Sequence, residues 1–323
     1  MSQINPAKNS ALGCGKQKKK FSYILRRDFQ KHWQLYLIML PVLAWYLTFC
    51  YGPLYGILAA FQRYNVRKGI AGSTWIGLKN FKDFFGSYYF GRVLGNTLKL
   101  NLADLIFAWP TSILFAILLN EIGHSGFKRT VQTITYMPYF ISMVVMCSLI
   151  KIYSREDGLF TQIVVLFGGQ RQNLLINPAA FRPIYIISGI WQGIGWNSII
   201  YLAALSGIDQ EQYEAARIDG ANRFKQMVHI TLPGILPTIM ILLILRMGSI
   251  LNVGYEKVIL LYTNNTYSVA DVISTYTYRK GITDSPPQYS YSTAVGLFNT
   301  IVNVAFLLVT NFISTKTTES GLF

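Results

Sequence analysis

Six stretches of this chain, about residues 34–61, 94–119, 131–150, 183–205, 234–254 and 291–314, are mostly apolar over the length a helix needs to cross a bilayer. That length is about 20 residues, set by a helical rise of about 1.5 Å per residue against about 30 Å of hydrocarbon. Pro41, Pro53, Pro110, Pro138 and Pro237 fall inside these stretches. A spanning helix tolerates proline when neighbouring helices or water satisfy the freed carbonyl, so the spans are expected to pack as a bundle. Gly189 and Gly193, four positions apart, are expected to let a second helix approach the backbone closely. Residues 158–168 are apolar but too short to cross, and suit an interfacial or re-entrant helix, or one packed between spans on the outer side.

Composition points the same way. Only 13% of the 323 residues are charged while 52% are hydrophobic. A soluble domain carries about 25% charged residues. The balance of 29 Lys+Arg against 14 Asp+Glu therefore sits in a mainly apolar chain. That argues against a soluble enzyme and against a disordered basic binder of nucleic acid, which would be poor in apolar residues. The expected class is an all-α membrane protein. Its parts are a basic cytoplasmic segment 1–33, a six-helix membrane domain 34–314 and a cytoplasmic tail 315–323.

Flanking charge orients the chain. Lys8, Lys16, Lys18, Lys19, Lys20, Arg26, Arg27 and Lys31 precede the first span, against the single acid Asp28, which keeps the N-terminus inside. An even number of crossings then puts the C-terminus inside too. The later loops add no bias: the inner segments hold 14 Lys/Arg and 7 acids, the outer ones 13 and 6. The basic outer face, with Arg67, Lys68 and Lys79, would concentrate an acidic polymer or dock an acidic binding protein; a solvated loop or attraction to lipid headgroups are the alternatives. A piece of residues 1–33, from Tyr23 to Trp33, suits an amphipathic helix on the inner membrane face. Of the three cysteines, Cys50 and Cys147 lie in apolar stretches and are expected to be buried. Leu12-Gly13-Cys14 is similar to a lipid-attachment site, but no apolar signal stands before it and lipidation is not expected.

The loop 207–233, which would face the cytoplasm, reads as two helical pieces. Asp209 and Gln212 fit an N-cap and its capping-box partner, starting a helix over Gln210–Asp219. Gly220 suits a left-handed stop. A second piece is expected over Asn222–Thr231, with Pro233 and Pro237 opening the next span. Small Ala215 and Ala216 would let a partner approach the backbone, and Glu214 could pair with its base; a plain amphipathic surface helix is the other reading.

The run Glu214-Ala215-Ala216, Gly220, Ile230-x-Leu232-Pro233 resembles the EAA motif of ABC importer permeases, E-A-A-x3-G-x9-I-x-L-P, at every defined position. The segments NTLKLNL (96–102), TITYMPYFIS (133–142), WQGIGWNSIIYLAAL (191–205) and LPTIMILLILRMGSILNVGYEKVILLY (236–262) are similar to permeases of the complex-carbohydrate branch, within it to alginate importers, whose cargo is an acidic polysaccharide. The resemblance covers nearly the whole chain from about residue 30. It implies the type I, MetI-like permease fold, with the loop as a coupling helix. Glu214, Ala215, Ala216 and Gly220 would dock on an ATP-binding subunit. It also implies a second permease, two ATPases and a periplasmic or lipid-anchored solute-binding protein, working by alternating access in the bacterial inner membrane.

The chain has no phosphate cradle of its own: Gly72-STWI-Gly77-Leu78-Lys79 ends wrongly for a P-loop. His32, His124 and His229 are scattered, and no metal, cofactor or catalytic cluster is expected. Polar groups within spans mark candidates for the path, since they usually face a bundle interior. These are Asn96, Lys99, Asn101 and Asp104, with Trp109 beside them; Gln192, Trp196 and Asn197; Arg246, Ser249 and Asn252; and Asn299 with Asn303. Each could instead make a helix-to-helix hydrogen bond. Arg246 needs an anion at membrane depth, and Asp104 or a substrate carboxylate could supply it. A gradient-driven secondary transporter would want inverted repeats and more intramembrane carboxylates, and neither is evident. A membrane-embedded enzyme lacks its residues, while a permease for another polar solute is not separated by the EAA loop.

Overall fold

The computed structural model describes residues 21–318 and 321–322, so the lysine run before residue 21 and Cys14 lie outside the described residues. The backbone divides into two compact units, Met1–Gly56 and Ile57–Phe323.

Helix α1, Phe21–Trp45, continues through a π-helical stretch, Tyr46–Tyr51. None of the side chains in that stretch is buried, and Cys50, expected inside, is exposed. A 3-10 stretch, Gly52–Phe61, follows. An antiparallel hairpin comes next, β1 Gln62–Asn65 and β2 Gly69–Trp75, where an all-helical reading left a loop. Gly69 turns it at φ 64°, a conformation that costs glycine nothing. Arg67 and Lys68 are exposed at its tip.

The short α2, Lys79–Phe85, leads to α3, Tyr89–Ala103, and α4, Trp109–Glu121. A π-helical turn, Asp104–Ala108, joins the last two into one helix, Tyr89–Glu121. Pro110 stands just past that turn; lacking an N–H, it removes one bond of the ladder and favours such local widening.

The third apolar stretch is broken rather than straight. Helix α5, Ser125–Tyr136, and its 3-10 extension to Phe140 meet α6, Met143–Tyr153, at 97°. Pro138 and the extended Ile141 end the first arm, and Ser142 caps the second by accepting from the Val145 N–H. Helix α7, Leu159–Leu166, is short as expected. Helix α8, Pro178–Ser206, has Asn177 as its N-cap and proline in its first turn.

Helix α9, Gln210–Ile218, begins at Asp209, whose side chain accepts from Glu211 N at 3.0 Å. Beyond Gly220 the second helical piece is not separate. Helix α10, Arg223–Gln226, runs through a π-helical turn into α11, Leu232–Met247, as one helix, so the helix that carries the fifth apolar stretch starts earlier than that stretch and ends before Asn252. Three short helices follow, α12 Tyr255–Leu261, α13 Tyr267–Ala270 and α14 Ile273–Tyr278, then the long α15, Tyr289–Thr318.

Among the described residues four helices are long and apolar enough to cross a membrane: Phe29–Phe61, Tyr89–Glu121, Arg223–Met247 and Tyr289–Lys316. The bent α5–α6 pair makes a fifth if it counts as one span. Helix α8 has the length, but Trp191, Gln192, Trp196, Asn197 and its glycines dilute its apolar character.

The second unit holds three apolar clusters. One joins α4, α8 and α11 through Ile113, Ala116, Tyr201, Leu205 and Ile235. Another gathers Phe84, Val93, Leu251, Tyr276 and Val295. The third packs α6 against α12 through Met146, Cys147, Val258 and Leu261. The close backbone approach falls at Gly195 rather than at Gly189 and Gly193: a Cβ on Gly195 would stand 2.3 Å from the Thr135 carbonyl oxygen of α5.

Candidate functional site

A cavity of about 390 Å³ opens between α4, α8 and α11. Its wall is largely apolar, with Ile194, Ile200, Leu242 and Leu245, and it takes polar groups from Asp104, Ser112, Asn197, Arg246 and Ser249. Small-molecule sites are commonly apolar clefts of about 300–1,000 Å³ with a few convergent polar groups. The widened turn before Pro110 carries Asp104, and the last turn of α11 carries Arg246. The two side chains form an ion pair across the cavity, each about a third exposed. Ser249 folds its hydroxyl back onto the Arg246 carbonyl at 3.0 Å. Trp109 and Tyr201 add aromatic surface to the wall.

The other residues proposed for the path lie elsewhere. Asn101 is buried and donates to the Thr97 carbonyl of its own helix at 3.1 Å. Lys99 is exposed. Gln192 donates to the Ile141 carbonyl at 3.3 Å, satisfying a group freed by the α5–α6 break. Trp196 stacks on Tyr139 at 4.6 Å, beside the same break. Asn252, Asn299 and Asn303 form a knot between α15 and the chain after α11: both amides of α15 donate to Asn252 Oδ1, at 2.7 and 3.1 Å, and Asn303 Oδ1 accepts from Leu251 N at 2.9 Å. Among the described residues no group of three or more His, Cys, Asp or Glu is placed to hold a metal ion.

The loop 207–233 has its own geometry. Gly220 adopts φ +73°, its N–H reaching the Arg217 carbonyl and the Ala221 N–H the Ala216 carbonyl. That is a Schellman stop, which needs a residue at ease in the left-handed region. Asn222 caps the next helix at once, accepting from Lys225 N at 2.9 Å. Tyr213 bonds Thr231 at 3.0 Å, and Ile208 packs in the cluster under α4 and α8. Glu214 and Ala215 are exposed and Ala216 is half-buried. Ile218 and Phe224, at 87% and 68% exposure, present bare apolar surface on either side of the turn.

The charged members of a second ionic cluster were not marked by the sequence, which offered only Asn96 of it, as a path residue. Asp271, 1% exposed, accepts a two-pronged pair from Arg279 at 3.0 and 3.2 Å and a bond from Thr275 at 2.9 Å. Arg92 of α3 stands 3.6 Å from the same carboxylate, over the rings of Tyr89 and Tyr267. Asn96 donates to the backbone carbonyls of Ser268 and Asp271 and accepts from Arg182 of α8 at 3.0 Å. Charged residues in a loop-rich segment carry no periodic signal, so only the fold reveals this one.

Residues 86–318 match the family described as the binding-protein-dependent transport system inner membrane component, and the chain belongs to that family. It is 44% identical over 300 residues to Protein LplB of Bacillus subtilis (strain 168), covering 93% of this chain and 92% of that one. It is 42% identical over 309 residues to the polygalacturonan/rhamnogalacturonan transport system permease protein YteP of the same strain, covering 95% of each. Its fold matches a chain in the crystal structure of a bacterial alginate ABC transporter in complex with alginate pentasaccharide-bound periplasmic protein. The TM-score is 0.83 at 40% identity, over 92% of this chain and 99% of the other. The chain is thus an ABC-type permease, a transport subunit that is not itself an enzyme.

Proposed function

We propose that this permease carries acidic oligo- or polysaccharide inward by alternating access, as one of two permeases above two ATP-binding subunits. A binding protein, periplasmic or lipid-anchored, delivers the sugar from outside. In this reading residues 34–314 make six spans, with α8 and the bent α5–α6 pair among them, and both termini lie in the cytoplasm. The loop 207–233 then lies inside, and Glu214, Ala215, Ala216 and Gly220 dock on the ATPase.

The observation that carries this reading is the cavity. An apolar and aromatic wall beside hydroxyl and amide groups suits sugars, whose C–H faces pack on rings while their hydroxyls need hydrogen bonds. The relatives' cargoes, polygalacturonan, rhamnogalacturonan and alginate, support an acidic substrate. The exposed helix α9, stopped sharply at Gly220 and flanked by bare Ile218 and Phe224, supports docking of a partner there.

Purification from native membranes in mild detergent, followed by ATPase assays with a defined oligouronate and its binding protein, tests the proposal. A second permease and an ATPase should co-purify, with hydrolysis stimulated by the loaded binding protein. Glu214→Arg should lower that stimulation by about tenfold or more, equivalent to about 1.4 kcal/mol of coupling. The variant's thermal stability should hold within about 0.5 kcal/mol, because the side chain is exposed. A chain that purifies alone, with uptake driven by an ion gradient, would defeat the reading.

A further inference from the structure

Lys257 is an unusual charge. It stands on α12, only 6% exposed. Its ammonium donates to the Tyr185 carbonyl of α8 at 2.8 Å and sits 4.4 Å from the centroid of the Tyr185 ring. Neither group is an anion, and among the described residues no carboxylate pairs with it. The nearby cation of the cavity, Arg246, is already matched by Asp104. Burying an ammonium without a paired counter-charge costs several kcal/mol.

The geometry points to where the counter-charge enters. Gly189 of α8 lines the cavity, and a Cβ on it would stand 3.3 Å from the Lys257 ammonium. Lys257 itself does not line the cavity, and at Gly189 the wall carries no side chain on the side that faces the ammonium. We propose that Lys257 supplies the unmatched positive charge of this cavity and pairs with a sugar carboxylate as an acidic oligosaccharide passes Gly189. The inference rests on the acidic-sugar reading above and gives it a specific residue. Of the three ammonium protons one is used by Tyr185, which leaves two for the carboxylate.

The test uses the assembled transporter in vesicles, with its partners and binding protein. The probes are a defined oligouronate and the same oligosaccharide with its carboxyl groups reduced to alcohols. Lys257→Gln should lower the ratio of oligouronate to carboxyl-reduced uptake by about tenfold, the loss of one charge-assisted contact of about 1.4 kcal/mol. Gly189→Ala keeps the ammonium but puts a methyl in front of it, and should move the ratio the same way. It also decides the matter if Lys257→Gln fails to assemble. An unchanged ratio in the assembled variants, whether both probes slow equally or neither slows, would overturn the inference and leave Lys257 as a tie between α12 and α8. If the unaltered transporter takes up neither probe, it is the acidic-sugar reading that fails.

Discussion

Two carboxylate–arginine sites in the second unit share their chemistry and differ in their surroundings. Asp271 is closed off at 1% exposure, and its guanidinium partners sit under tyrosine rings. Asp104 and Arg246 keep 29% and 32% exposure and face a cavity. The closed cluster ties α3, α8 and the segment 263–279 through side chains and backbone carbonyls together. The open pair ties two helices by one contact. A buried carboxylate with several partners holds architecture, because removing it strands charges with no water to take them. A pair open to a cavity costs less to break and is free to exchange its partner for a ligand's.

The largest effect should come from the closed site. Asp271→Ala strands Arg279 and weakens the hold on Arg92, while Thr275 keeps the Val272 carbonyl as its acceptor, a loss of about 3–5 kcal/mol. A lowered unfolding midpoint in detergent and poor recovery from membranes would show it, and a near-normal midpoint would remove the contrast between the sites. Arg279→Lys sharpens the point by keeping the charge and losing the fork. It should cost about 1–2 kcal/mol in the same measurement, since a lysine cannot reproduce two parallel bonds to Asp271.

The sequence made one of these sites legible and hid the other for a physical reason. Asp104 and Arg246 stand in long apolar runs, where any charge is conspicuous, and their pairing follows from the need of each for a partner. Arg92 stands in the first turns of α3, and Asp271 and Arg279 lie in the run of short helices between α11 and α15; no long apolar stretch surrounds them, and nothing local separates a buried charge there from a solvated one. The long helices Tyr89–Glu121 and Tyr289–Lys316 were readable from apolar length alone. The right-angled break near Pro138, the hairpin at Gly69 and the run of α10 into α11 were not, because each depends on tertiary partners. Gln192 shows the consequence: its polarity suggested a path residue, yet its amide serves the broken backbone at Ile141.

The smallest effect on stability and the most informative one on transport should come from the open pair. Asp104→Leu with Arg246→Met removes both charges and should change the unfolding free energy by no more than about 1 kcal/mol, as expected for a partly hydrated pair. Arg246→Met alone leaves Asp104 unpaired, so the cavity would repel an acidic sugar. Uptake of an oligouronate should therefore fall furthest in Arg246→Met, by about tenfold or more, and recover in part when Asp104→Leu is added. For the carboxyl-reduced sugar the single and double variants should be nearly equal. Measuring both probes in all three variants gives a coupling energy that belongs to the cavity's charge rather than to helix packing. If the single variant transports the acidic sugar as well as the double one, the pair is a staple like the cluster at Asp271, and the difference in exposure between the two sites carries no functional meaning.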